Sequence, residues 1–548
     1  MSTKANEPGN FLDSKTLLAL GLTIAFFFGW RWFMEKQNPV PPGAPIPSSA
    51  AQTVAPSAAQ ATAQSTAQSP IQPNAQPGSA ASAKAETFSA YDSPELSFEL
   101  SSRGMGLRRI DIKKYRSRSN EPILLGVVRE RLPFATEFVE GNEPIDFIVE
   151  KSGENEFVGR AMVNGMAIEK RMKLTPSLYS FDVDVKVNNP VSGFRGLQTT
   201  LSDVLVDPKS SAALVPNYDH QDFFYHHNGG KTKRALISKE KGADVSESNV
   251  SLIALSSHYF TMAIVDSKTL LPRFVGKAAA GGSEATGRLV YEPINRADTF
   301  SIRYKGYAGP KSFEVFDQVD PDLATVIDYG MFGMLGKPLW QLLKLCYSLV
   351  GNYGVAIILM TLVVRFCVLP FNIYSFRSMK AMQRIQPQIT ALKARLKDDP
   401  RAMNAEVMGL MKTNKANPLG GCLPVLLQLP IFFALYQVLG QSIELYRAPF
   451  VLWIQDLSMS DRYYVLPVLM AGSMFAQQKI TPTAMDPAQA KIMMWMPLLF
   501  AFFMLSLPSG LTLYILVSTL FGITQQLVFA RDRRAQAGVV DVKALPVK

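Results

Sequence analysis

The chain has 548 residues, 47% of them hydrophobic, with 36 prolines and a formal charge of +11. That length and mixture exclude a single globular domain, and the basic balance fits nucleic acid, anionic lipid or the cytosolic side of a membrane protein, so the placement of the charges has to decide. Cys346, Cys367 and Cys422 lie in or beside apolar C-terminal segments, which leaves the rest of the chain without a disulfide framework.

Residues 1–36 carry the first apolar run, "LLALGLTIAFFFGWRWF" from Leu17 to Phe33, with Trp30 and Trp32 at an interface position. The following "RWFMEKQNPVPP" offers no adjacent small-x-small cleavage site, so the run reads as a retained anchor rather than a signal peptide. Residues 37–85 form a linker: Asn38 to Ala83 is mostly Pro, Ala, Ser and Gln, holds no charged residue and cannot bury enough apolar surface to fold. As a coil it reaches on the order of 35 to 40 Å.

From 86 to 328 the texture is short and alternating, as in "LSFEL" from Leu96, "FDVDVKV" from Phe181 and "FSIRY" from Phe300, with turns at "NNPVSG", "HNGGK" and "AGGSEATG". One large antiparallel β domain is expected, a sandwich without a catalytic motif. Its histidines, His220, His226, His227 and His258, have no carboxylate or cysteine partner at a ligand spacing and read as surface or loop residues, so no metal is expected.

Residues 329–352 include "KPLWQLLKLCYSLVG", where Leu339, Leu342, Leu343 and Leu345 alternate with Lys337 and Lys344 as in a helix lying along an interface. Five membrane candidates follow within 353–530, at Tyr353–Phe371, Leu423–Leu439, Tyr464–Ala476, Ile492–Leu507 and Gly510–Phe529, for six with the anchor. Two of them, Tyr464–Ala476 and Ile492–Leu507, are short for a bilayer, either because these boundaries fall a few residues short or because the mismatch favours local thinning. The stretch Asn372–Pro418 carries +6, the tail from Ala530 carries +3 and the loop Gly440–Tyr463 carries −1. Positive stretches stay in the cytosol, so both termini are expected inside, with the β domain exported and the basic tail, 531–548, cytosolic. Within 373–416, Met382, Ile385, Ile389, Leu392 and Leu396 recur at helical spacing, and Pro400 opens a second run with Met403, Val407 and Leu410. A helical hairpin is expected there; the stripe serves either to hold its two arms together or to contact nascent chains.

Arg365 stands inside the apolar run "IILMTLVVRFCVLP". At the centre of a membrane helix it costs roughly 2.5 to 3.5 kcal/mol on insertion scales, so a partner, water or access to the surface is required. Thr361 lies on the same helical face, and Gln428, Gln477, Ser506, Ser518, Thr519 and Thr524 place polar groups in other segments. Together they line a wet cavity, or else Arg365 snorkels and the hydroxyls bond to their own helices.

The segments "NYGVAIILMTLVVRFCVLPF", "NPLGGCLPVLLQLPIFFALY", "APFVLWIQDLS" and "LPSGLTLYILVS", spread over about 200 C-terminal residues, resemble the YidC membrane protein insertase family in sequence and order. The anchor and exported β domain resemble the Gram-negative form of that family. The resemblance implies a multi-pass α-helical inner-membrane protein with a five-helix insertase core and a periplasmic supersandwich-like domain. It implies a non-enzymatic insertase and chaperone for nascent inner-membrane proteins. The implied partners are the Sec translocon with its accessory subunits, the ribosome and the phospholipid bilayer, without a cofactor or a specific nucleic-acid sequence. It also implies a hydrophilic groove with Arg365 as its fixed charge, accompanied by Thr361, Gln428, Tyr514 and Ser518, and a hairpin working through Met379, Met382, Arg384 and Lys393. Where many relatives have paired tyrosines, this chain has Tyr514 followed by Ile515, so a role for a second tyrosine does not carry over.

A channel or secondary transporter also buries polar residues, but no internal repeat and no intramembrane carboxylate accompany them here. A sugar-modifying enzyme in the β domain is the remaining alternative, and no convergent acid pair supports it.

Overall fold

The computed structural model describes residues 85–128, 131–205, 221–268, 270–293, 298–328, 333–396, 399–414, 423–481 and 487–537. The expected anchor, nearly all of the linker, His220, Cys422 and most of the basic tail lie outside them.

Alternation builds the first half. In Ser180–Asn188, Phe181, Val183, Val185 and Val187 are buried while Asp182 and Lys186 face solvent, the pattern of a strand with one packed face. Among the described residues eighteen strands form antiparallel sheets of four, five and nine. The nine-stranded sheet runs from edge strand Thr232–Leu236 through Phe260–Asp266, Thr299–Pro310 and Ser180–Asn188 to the opposite edge at Ile148–Gly153. One continuous apolar core joins the sheets, with Phe134 edge-on to Phe181 at 4.8 Å and Phe223 edge-on to Phe274 at 5.7 Å. Lys170 is fully buried in it, its Nζ donating to the carbonyls of Phe134 at 2.7 Å, Gly104 at 2.9 Å and Met105 at 3.2 Å. All three ammonium donors are used, without a carboxylate. Burial pushes its pKa down to about 7.

His226 and His227 correct the expectation of surface or loop histidines. Both lie half-buried on strand Asp222–His227, His226 against Thr232 Oγ1 at 2.9 Å and His227 against Glu247 Oε2 at 3.3 Å. His226 thus pairs across the strand with Thr232, while His227 reaches Glu247 on a strand of the five-stranded sheet, beside the buried Tyr225.

Helix α1 (Phe313–Val319) closes the β part, and seven helices follow: α2 (Gly333–Val350), α3 (Tyr353–Arg395), α4 (Pro400–Thr413), α5 (Leu423–Gln441), α6 (Val465–Ile480), α7 (Pro487–Met504) and α8 (Ser509–Ala537). The helix does not end with the membrane candidate at Phe371: α3 continues through Pro370 and Pro387 for 43 residues, so the first hairpin arm is the extension of the Arg365 helix. Proline removes a hydrogen bond and bends a helix, but long helical flanks carry the chain past it. By length and composition two described helices qualify as membrane-crossing, Tyr353–Arg395 and Ser509–Phe529, with shorter apolar stretches at Leu426–Gln441 and Met494–Met504. Helix length alone therefore does not return the expected six crossings.

The two halves are packed together. Val438 and Ile443 belong to the β core, and the Tyr446 ring lies tilted 5.0 Å from that of Tyr259. His258 lies 2.8 Å from the Gly440 carbonyl, and Tyr446 donates to Arg116 O at 3.1 Å. The two lysines of α2 contact α1: Lys344 pairs with Glu314 at 3.0 Å and Lys337 sits over the Phe313 ring.

Candidate functional site

Helices α3, α5 and α8 bring the polar set together. Arg365 stands four turns into α3, half-buried, and its Nε donates to Ser518 Oγ on α8 at 2.6 Å, with Nη2 donating to the same oxygen. One turn earlier on α8, the Tyr514 hydroxyl accepts from Gln428 Nε2 of α5 at 2.6 Å. Tyr514 and Ser518 are 1% and 2% exposed, so both contacts are made inside the helix cluster. Among the described residues no carboxylate pairs with Arg365; its partners are the dipoles of a serine and, one turn away, a tyrosine. A guanidinium held by neutral groups keeps donors free for water or for an arriving anion.

The surroundings divide along the helix axes. Toward the segment between α5 and α6, Ile357, Met360, Leu435, Leu439, Leu457, Met470 and Leu511 form a closed apolar core. Beyond Arg365 the contacts turn polar: Thr481 Oγ1 accepts from Gln526 Nε2 at 3.1 Å, and Gln477 lies against Gly522. Arg365 thus stands between a closed apolar core on one side and contacts that include amides and hydroxyls on the other.

Not every expected residue joins. Thr361 is fully buried but donates to Ile357 O of its own helix at 2.6 Å, and Thr519 and Thr524 likewise bond to Ile515 and Leu520 carbonyls. Those hydroxyls satisfy themselves locally. Ser506 is exposed in the turn between α7 and α8. In the hairpin, Ile385 and Ile389 are buried against Met382, Val407, Leu410 and Met411, which assigns the apolar stripe to holding α3 and α4 together. Met379 is partly buried, while Arg384 and Lys393 are exposed.

Sequence reasoning gave no role to Asn352, Gly354, Asp461 or Ser509, which secure the helix starts. The available signal was an Asn or Asp just ahead of an apolar helical run.

Two family models match, one described as 60Kd inner membrane protein over residues 345–536 and one as YidC periplasmic domain over residues 150–342. A membrane protein insertase YidC of Shewanella pealeana is 39% identical over 376 residues, which are 66% of this chain and 67% of that protein. The membrane protein insertase YidC of a Geobacter species is 50% identical over 227 residues, 41% of this chain and 42% of the relative, so the chain matches less than half of that relative's length. A solved structure described as an active YidC insertase with its first transmembrane domain resolved shares 18% identity, covering 81% of this chain and 94% of its own, at a TM-score of 0.36. That superposition is too loose to carry weight.

Proposed function

Because this chain belongs to the YidC family of membrane protein insertases, we propose that its helical region inserts and helps fold inner-membrane proteins through a groove centred on Arg365. The chain crosses the membrane six times with both termini in the cytosol and the β domain in the periplasm. Substrates arrive from ribosomes, alone or beside the Sec translocon, and leave sideways into the bilayer. The contact of Arg365 with Ser518 carries the reading: a cation paired with no carboxylate among the described residues stands at the edge of the apolar core.

The mechanism needs weak attraction. A hydrated charge interacts with an acidic or polar substrate segment by about 1 kcal/mol, whereas a dry ion pair would hold it. Partition of the apolar substrate segment into lipid then drives release, at roughly 25 cal/mol per Å² removed from water. A channel or transporter reading draws no support from relatives that bear the name of an insertase.

The test uses a matched substrate pair, one with an acidic translocated tail and one with a neutral tail, and photocrosslinking from Gln428 and Ser518 to a stalled nascent membrane protein. Arg365→Ala is expected to slow the acidic substrate more than the neutral one, with crosslinks from both groove positions. Equal slowing, or no crosslinks, overturns the reading.

A further inference from the structure

The starts of α3, α6 and α8, three of the helices around the polar set, are all hydrogen-bonded to one segment, residues 446–464. Asn352 does two jobs at the start of α3. Its Oδ1 accepts from Val355 N at 3.1 Å as a helix cap, and its Nδ2 donates across to Phe450 O at 3.1 Å and Pro449 O at 3.3 Å. Two residues on, the Phe450 ring rests on Gly354, where any Cβ would collide with it. At α8, Ser509 Oγ donates to Met459 O at 2.6 Å and Gly510 N donates to Leu457 O at 2.9 Å. At α6, Asp461 accepts from Leu466 N at 2.8 Å while its other oxygen takes Trp453 Nε1 at 2.9 Å. The segment braces itself: Asp456 Oδ1 accepts from Ser458 Oγ at 2.6 Å and Arg447 N at 3.1 Å.

We propose that this segment is a register clamp, with Asn352, Gly354 and Phe450 as positioning residues that set how deep Arg365 stands. Arg365 lies thirteen residues beyond Asn352 and Ser518 nine beyond Ser509, about 20 Å and about 13 Å along their helices. Both helices hang from the same segment, so the two side chains meet only while both attachments hold. A slip of one turn, about 5.4 Å, separates them. The inference rests on the insertase reading only for its functional consequence; the geometry stands independently.

The test separates the two. In full-length protein without its native cysteines, Phe366→Cys with Phe521→Cys reports the native register, since those rings lie 5.3 Å apart. Pairs of Phe366→Cys with Val517→Cys or Gln525→Cys report a slip of one turn either way. Asn352→Asp keeps the capping oxygen and loses both donors, and Gly354→Ala unseats Phe450. Gly472→Ala is the control, because a Cβ there meets open space. In the first two variants the native crosslink is expected to fall at least ~3-fold while one offset crosslink appears, and the acidic-to-neutral insertion ratio falls with it. The control keeps the parent pattern. Folded variants that retain the native crosslink overturn the clamp. Crosslinks that shift without a change in the insertion ratio uphold the clamp and overturn the role given to Arg365. If Gly354→Ala does not accumulate, Phe450→Leu carries the same test.

Discussion

Gln428 and Tyr514 meet through one hydrogen bond of 2.6 Å that ties α5 to α8 a turn away from Arg365 and Ser518. The ring of Tyr514 fills the apolar core while its hydroxyl serves the polar set, so the residue sits on the border between them.

That double role predicts two sizes of effect. Tyr514→Phe keeps the ring and leaves an amide without its acceptor, lowering stability by about 1 to 2 kcal/mol. Tyr514→Ala also opens a cavity and is expected to cost roughly 3 to 5 kcal/mol. Thermal unfolding in detergent at matched protein concentration distinguishes them; a Tyr514→Phe variant as stable as the parent would place the hydroxyl outside the network.

Arg365→Lys retains the charge but reaches Ser518 with one compact donor group rather than two guanidinium nitrogens. Insertion of the acidic-tailed substrate is expected to stay within about 3-fold of the parent, a change near 0.65 kcal/mol. A loss as deep as that of Arg365→Ala would show that guanidinium geometry, not charge, is what matters.

Lys170 titrates below its ordinary range because it is buried, at about 7 in the folded chain. From that pH up to the normal lysine range the unfolded chain holds the proton and the folded chain releases it, so this group makes stability rise with pH. Lys170→Met is expected to remove that slope, which is at most about 1.4 kcal/mol per pH unit. The same change orphans three carbonyls and weakens the core at neutral pH. Unfolding measured from pH 7 to 9.5, with hydrogen exchange at Gly104 to Gly106, reads both effects.

At the junction of the two halves, burial pushes the Glu444 carboxyl up, with Glu314 adding to it, although Ser312 donates to it at 3.1 Å and Lys344 opposes the rise. A raised acid stabilises the folded state at low pH and loses that contribution as pH climbs through its folded value. Glu444→Gln keeps the acceptor without the charge, so hydrogen exchange at Ser312 to Phe316 is expected to slow at neutral pH, with the difference from the parent shrinking as pH falls. Faster exchange at neutral pH would contradict this.

In the hairpin, Ile389→Asp puts a charge between the arms where Ile389 is 4% exposed, and it is expected to separate α4 from α3. Crosslinking of Met382→Cys with Val407→Cys should drop while the helices around Arg365 stay folded. Deleting residues 375–414 should slow delivery of ribosome-borne substrates; insertion at the parent rate would leave the hairpin a connection only.

Periodicity made the β domain, the hairpin and the apolar helices legible, because burial on one face leaves a repeat of two or 3.6 residues. Arg365 was legible as an anomaly, a charge in an apolar run. Its partners were harder: Ser518 stands out no more than Thr361 or Thr524, and only the facing of α3 and α8 separates a hydroxyl that reaches across from one that bonds to its own helix. The docking of the β domain on α2 and α5 left no local trace, since Val438, Ile443, Tyr259 and Tyr446 look like ordinary apolar residues until distant segments meet. Pro370 and Pro387 likewise mark no helix end, because helix runs on both sides of each.

The unbroken course of α3 makes it a lever. Its 43 residues give a rod of about 65 Å, gripped near Asn352 at one end and carrying the hairpin at the other. A tilt of about 5° about the gripped end swings the far tip by about 5 to 6 Å but moves Arg365, a third of the way along, by under about 2 Å. Under the proposed function, a load that tilted the hairpin would therefore reach Arg365 as a displacement less than about a third of that at the tip.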